Sequence, residues 1–233
     1  MTTFVLVPGA WHGPWAWERL APLLQRAGAR TMTPALSLEG DAGLGTHVHE
    51  VLAALRAADD EDVALVGHSY AGLVVRQAAD LRPDLVSHAI LVDGWAGGDG
   101  EGMFSLAPDS FAEAIRAAAG KSPDGRHIPA PPPASFGVTD PGDARWLAQR
   151  LRPQPLRTFT ETARLSGAVD RIPGTAIHCR PGTYPFDRFA EAIGYRPIGL
   201  DGPHDVMLTH PRALARLLLD AHAAQFNNKK LED

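Results

Sequence analysis

A single cysteine, Cys179, has no second thiol in the chain to pair with, so no internal disulfide framework can form and a reducing, intracellular setting is expected. Long apolar runs are missing as well. Apolar residues make up 45% of the 233, yet no stretch approaches the roughly 18 consecutive apolar residues that mark a membrane span. The first residues, MTTFVLVPGAW, carry neither a basic leader nor a long apolar core with a cleavage site, which again points to a cytoplasmic protein. Positive charge is in deficit: 22 Lys and Arg against 27 Asp and Glu give a net charge of −5. That balance supplies no broad basic field for phosphate backbones, so nucleic acid is disfavoured and a small organic substrate favoured. Metal-ligand spacing is absent too. His47 and His49 stand about 200° apart on a helix, so they do not form a metal pair, and no cofactor is expected. A homodimer is left open.

What the chain does have is an alternation of short apolar strands and helical patterns. Phe4–Val7, Arg30–Thr33, Val63–Val66, Ala89–Val92, Thr175–Cys179 and Arg196–Leu200 read as strands. Between them, Trp15–Gly28 suits a helix stopped by Gly28. A second, capped by Thr46, carries Val48, Val51, Leu52 and Leu55 at helical spacing. This rhythm predicts one α/β domain over 1–233, with a mostly parallel sheet covered on both faces. Residues 95–173 interrupt it with Gly-rich, Pro-rich and helical pieces and are expected to form a lid inserted over the sheet. Its apolar members Met103, Phe104, Leu106, Phe111, Trp146 and Phe159 either line a pocket or pack lid against body. The terminal NNKKLED reads as a frayed tail.

The segment VALVGHSYAG delivers Ser69 from a strand into a tight turn, with a helix following through Leu73, Gln77, Ala78 and Leu81 until Pro83. A serine exposed on a sharp strand-to-helix turn needs very small residues two positions before and after it; Gly67 and Ala71 meet that need. Ser69 is therefore the candidate nucleophile. A serine hydroxyl needs a neighbouring imidazole to accept its proton. His204 fits, because it follows the last strand in the loop DGPHD near the chain end, whereas His68, His88 and His178 lie in or beside strands. Asp93 and Asp187 compete as the anion behind the histidine. Asp93 ends the strand after the nucleophile's helix, at the same sheet edge as Ser69, while Asp187 precedes a helix, where an aspartate commonly caps the first turn. Position favours Asp93, with a serine–histidine dyad as the remaining alternative. The backbone N–H groups of Tyr70, after the nucleophile, and of Ala10, in the first loop, are the candidate oxyanion donors. Trp11, His12, Phe104, Trp146 and Met207 are the candidate substrate contacts, while Trp15 and Trp17 are read as packing.

With these residues in place, the chain resembles the α/β-hydrolase superfamily, specifically the small esterase and hydroxynitrile lyase branch that includes plant salicylate-ester hydrolases. FVLVPGAWHGPWAW resembles the oxyanion loop of that branch, GHSYAG its nucleophile turn and GPHDVMLTHP its histidine segment. The resemblance implies an eight-stranded sheet with a lid and casts Ser69, His204, Ala10 and Tyr70 in the roles above. Two departures stand out. The branch places its acid just beyond the next-to-last strand, where this chain reads CRPGTYPF with no carboxylate before Asp187; other members of the superfamily place it one strand earlier, the position of Asp93. The lyases carry a lysine after the histidine and a hydroxyl in the first loop, where this chain has Asp205 and Ala10, which disfavours cyanohydrin cleavage. The leading expectation is a carboxylic-ester hydrolase acting on a small, largely apolar ester through an acyl-enzyme. The alternatives are a cofactor-free lyase or cyclase on the same fold, or a small-ligand receptor without turnover.

Overall fold

The computed structural model describes the backbone of residues 1–60 and 62–232 and the side chains of 1–60 and 62–225. Its centre is a six-stranded parallel sheet of β1 (Thr3–Val7), β2 (Arg30–Met32), β3 (Val63–His68), β4 (His88–Val92), β7 (Gly174–Arg180) and β8 (Arg196–Asp201), in the order β2-β1-β3-β4-β7-β8. Every residue of β1, β3 and β4 is buried, as expected for short apolar strands covered on both faces. The flanking strands β2 and β8 are more exposed, and β8 accommodates Pro197, which lacks a ladder donor, because it lies at the sheet edge.

The chain passes from β1 outward to β2 and then returns to the other side of β1 as β3, so the sheet reverses its winding between β1 and β3. Loops leaving the carboxyl ends of two such strands diverge and open a crevice between them. Pro8–His12 leaves β1 there, and Ser69 leaves β3. In register Val7 pairs with Gly67 and His68 with Val92, which brings the ends of β1, β3 and β4 to one level.

Helices α1 (Ala21–Arg26), α2 (Leu44–Ala58) and α3 (Ala71–Leu81) precede β4. The expected helix over Trp15–Gly28 is broken in two: a 3-10 turn spans Pro14–Trp17, and α1 begins only at Ala21. Gly28 still ends it, with a φ of +90°. Helix α2 starts before the expected cap; Thr46 lies inside its first turn, where its hydroxyl accepts the Gly43 N–H at 3.2 Å. After β7 and β8 come α8 (Phe186–Ala192), α9 (Val206–Thr209) and α10 (Pro211–Glu232). The frayed tail expected at 227–233 falls where side chains, and for Asp233 the backbone also, lie outside the described residues.

Residues 95–173 contain α4 (Met103–Leu106), α5 (Asp109–Gly120), α6 (Pro141–Ala148) and α7 (Arg157–Thr160). They also contain the antiparallel pair β5 (His127–Ile128) and β6 (Gln154–Pro155). The expected eight-stranded sheet is therefore corrected: among the described residues the main sheet has six strands, and the other two form a separate pair inside the inserted segment. Pro129 and Pro153, next to these two-residue runs, and Pro155, within β6, allow only local pairing.

Candidate active site

Ser69 takes a left-handed conformation with φ +53°, an uncommon state for a residue with a side chain. Its N–H donates to the Val92 carbonyl at 3.1 Å, and its own carbonyl accepts from Gly72 and Trp95, each at 3.0 Å. Neighbours leave no room for larger residues. A β-carbon on Gly67 would stand 2.7 Å from the Ala71 carbonyl oxygen, and one on Gly72 would overlap the Trp95 carbonyl. Ala71, fully buried, fits.

The hydroxyl of Ser69 faces His204 Nε2 at 2.9 Å, and His204 Nδ1 donates to Asp93 Oδ2 at 2.6 Å. Three elements that are far apart in sequence thus meet at the carboxyl edge of the sheet. The other carboxylate oxygen of Asp93 accepts the Cys179 N–H at 2.7 Å, and the Asp93 N–H donates to the Ile177 carbonyl at 2.7 Å. Asp93, like Ser69, has a positive φ, +44°. The competing Asp187 lies in the first turn of α8, and among the described residues it makes no hydrogen bond to His204. The His204 ring is stacked on Phe136 and Phe186, with centroids 6.3 and 5.9 Å away, and neither ring was singled out by sequence. Burial alone would lower the pKa of His204. The bond to Asp93, the charge of Asp93 and the further charge of Asp205 outweigh it, and the pKa is raised above its ordinary value.

Ala10 and Tyr70 both line the cavity beside Ser69, and among the described residues neither backbone N–H has an acceptor. Tyr70 is anchored: its hydroxyl donates to His47 Nδ1 at 3.1 Å, and its ring stacks on Phe159 with centroids 5.9 Å apart. His47 Nε2 in turn donates to the Ser37 carbonyl at 2.8 Å, and burial lowers the pKa of His47, consistent with a neutral ring.

The cavity is about 470 Å³. Its walls are Trp11, Trp95, Phe111, Phe136, Phe159 and Tyr184, together with aliphatic positions of α5 and residues 128–131. Among the described residues no Asp, Glu, Lys or Arg lines it; besides Ser69, His204 and the indole N–H groups, the polar side chains are those of Ser135, Thr183 and the two tyrosines.

Of the expected substrate contacts, the structure brings only Trp11 to this cavity. His12 is corrected: it is 1% exposed and bonded to Asp205 instead. Met207 is fully buried in α9, packed in the core. Trp146 packs edge-on against Trp15 and beneath the guanidinium groups of Arg19 and Arg150, and Phe104 lies under Arg116. Both rings are covered by guanidinium groups, which attract aromatic faces, and Phe104 reaches the cavity only through its edge contact with Phe159. Asp205 and Gln154 were missed. Both are fully buried and both touch the first loop. The available signal for Asp205 was a carboxylate immediately after the candidate base; Gln154, between two prolines, gave none.

Comparison with known proteins agrees with this architecture. The carbendazim-hydrolyzing esterase of Nocardioides sp. (strain SG-4G) is 30% identical over 240 residues, covering 94% of this chain and 98% of that protein. Methylesterase 2 of Arabidopsis thaliana is 37% identical over 99 residues, 38% of each chain. Among solved structures, an extracellular alpha/beta-hydrolase from a Paenibacillus species, described as sharing homology with tobacco salicylic acid binding protein 2, superposes with a TM-score of 0.86. It has 21% identity, over 95% of this chain and 99% of that one. The Arabidopsis methylesterase MES16 does so with a TM-score of 0.76 and 22% identity, over 96% and 99%. The family described as the alpha/beta hydrolase family matches residues 4–217, and the chain belongs to it.

Proposed function

We propose that this protein is a carboxylic-ester hydrolase that cleaves small, neutral, largely apolar esters through an acyl-enzyme. The observation that carries this reading is the Ser69–His204–Asp93 relay, with contacts of 2.9 and 2.6 Å, opening into an uncharged aromatic cavity. Ser69 Oγ attacks the ester carbonyl carbon while His204 Nε2 takes its proton, and Asp93 holds the Nδ1–H tautomer and stabilises the imidazolium. The N–H groups of Ala10 and Tyr70 stabilise the oxyanion of the tetrahedral intermediate. As that intermediate collapses, His204 returns the proton to the departing alcohol. Water, deprotonated by the same nitrogen, then attacks the acyl carbon, releasing the carboxylic acid and restoring Ser69.

Residues 95–173 act as a lid in this scheme, since they supply most of the cavity wall and shield the acyl-enzyme from bulk water. The chain 1–233 works as one domain. A cytoplasmic location is consistent with the lone buried cysteine. Small-molecule hydrolysis is favoured over a receptor role by the strained, hydrogen-bonded serine, since ligand binding alone requires neither the strain nor the relay.

The test is initial-rate hydrolysis of p-nitrophenyl acetate and butyrate by wild type and Ser69→Ala, with fluorophosphonate labelling alongside. Turnover and labelling that both require Ser69 are expected. Turnover that survives Ser69→Ala, or no labelling of folded wild type, would overturn the reading.

A further inference from the structure

Beneath the relay lies a second set of ionisable groups that the acyl-transfer scheme does not use. Asp205 is fully buried; its Oδ2 faces His12 Nε2 at 3.0 Å, and its Oδ1 has no hydrogen-bond partner. Four titratable groups surround it: His12 from the first loop, His68 at the end of β3, the neighbouring His204, and more remotely the Cys179 thiol. His68 is not its counter-ion. The Nε2 of His68 lies 3.0 Å from the His204 carbonyl, which can only accept, and burial pushes the pKa of His68 down to about 3, so His68 is a neutral Nε2–H ring.

His12 stands between two acceptors. Its Nδ1 lies 2.7 Å from the Ala10 carbonyl, again an obligate acceptor, and its Nε2 faces a carboxylate. Burial by itself would raise the pKa of Asp205, but the charge and hydrogen bond of His12, with smaller help from His68 and His204, hold it below the usual carboxylate value. With Asp205 ionised, both nitrogens of His12 face acceptors, the geometry of a ring placed to donate twice.

Ala10 and Trp11 share the peptide that the His12 ring holds. The opposite end of the same peptide, the Trp11 N–H, donates to Gln154 Oε1 at 2.8 Å, and Trp11 has a φ of +65°. One peptide plane is therefore gripped at its oxygen by His12 and at its nitrogen by a side chain from the inserted segment. The preceding peptide carries the N–H of Ala10, a residue that lines the cavity and whose N–H has no acceptor among the described residues, so locking the one peptide restricts rotation of the other.

We propose that Asp205 and His12 are positioning residues for the acyl-transfer site: a buried ion pair that clamps the Ala10–Trp11 peptide and thereby aims the Ala10 N–H at the reacting carbonyl. The role rests on the hydrolase reading. Neither residue touches substrate. Both act through the first loop, and Asp205 also adds negative charge beside His204.

The experiment compares Asp205→Asn, His12→Ala and His12→Asn with wild type on p-nitrophenyl butyrate. Misaiming one donor lowers kcat by about 10- to 100-fold, with KM within about threefold, because the donor matters most once the oxyanion forms. The amide of His12→Asn reaches the Ala10 carbonyl from the Nδ1 position and recovers at least about threefold in kcat over His12→Ala. In Asp205→Asn the acidic limb of kcat/KM moves to lower pH. If kcat of folded Asp205→Asn and His12→Ala stays within twofold of wild type, the positioning role is overturned. Nitrogen-15 NMR of wild-type histidines at pH 7.5 decides the ion pair independently of any variant: His12 protonated at both nitrogens is expected, and a singly protonated ring overturns the pair. Absence of Ser69-dependent turnover in wild type overturns the hydrolase reading instead, and the NMR result still decides the pair.

Discussion

The Cys179 N–H donates to Asp93 Oδ1 at 2.7 Å, so the strand after the inserted segment holds the carboxylate that ends the strand before it. This bond leaves Oδ2 free for His204 and orients it. The arrangement follows from β4 and β7 being neighbours in a parallel sheet despite the long insertion between them.

Replacing that carboxylate tests the relay. Asp93→Asn is expected to lower turnover by about 10³- to 10⁴-fold, because the amide stabilises the wrong histidine tautomer. Asp187→Asn, altering only the first turn of α8, is expected to leave it within twofold. Parallel kcat measurements on both variants check this; equal losses would sink the assignment of Asp93.

The raised pKa of His204 sets a pH dependence. In the proposed scheme His204 is the general base and must be neutral, so kcat/KM should fall as pH drops through its pKa, with the acidic limb centred above 6.5. Stability runs the other way. Because the folded-state pKa exceeds the unfolded one, the contribution of this group is fully present below about 6.5 and is lost as pH rises through the folded value. A pH–rate profile, read with a pH series of denaturant midpoints, separates the two. A limb below 6.5 would contradict the prediction.

The turn around Ser69 gives a stability test. Gly72→Ala forces a methyl group onto the Trp95 backbone carbonyl and should cost at least about 2 kcal/mol. Ala71→Gly loses a buried methyl group and some helix propensity at the start of α3, about 1 kcal/mol, with activity within threefold. Urea midpoints of the two variants decide whether the Trp95 backbone leaves no room for a β-carbon at Gly72.

The uncharged cavity predicts discrimination by charge. An ester carrying a carboxylate on its acyl chain should show kcat/KM at least about 100-fold below that of its neutral isostere, since no cationic side chain among the described residues lines the cavity to receive it. Matched pairs of p-nitrophenyl esters provide the measurement, and comparable rates would count against the cavity as the acyl site.

The central strands β1, β3 and β4 were legible as short, fully buried, mostly apolar runs, the edge strands β2 and β8 only as short runs in the alternation, and Ser69, His204 and Asp93 were legible because parallel strands deliver their ends to one edge. The eight-stranded expectation came from resemblance and fails where the inserted segment keeps β5 and β6 to itself. The cavity wall was only partly legible. Phe111 and Phe159 were among its candidates, but nothing local distinguishes them from Phe104 and Trp146, whose arginine neighbours draw them elsewhere. His12 was misread for a related reason: its partner Asp205 lies 193 residues away, and no spacing rule reports such a contact.

The bond from Gln154 to the Trp11 N–H also bears on how this enzyme could diversify. A segment that shapes substrate choice is ordinarily the most exchangeable part of such a scaffold. Here the same segment braces the first loop, so a graft from a relative that lacks an equivalent amide would alter specificity and slacken the reaction centre together. Changes confined to α5, which lines the cavity and among the described residues makes no hydrogen bond to that loop, offer the evolutionary route by which substrate range can drift while rate is kept.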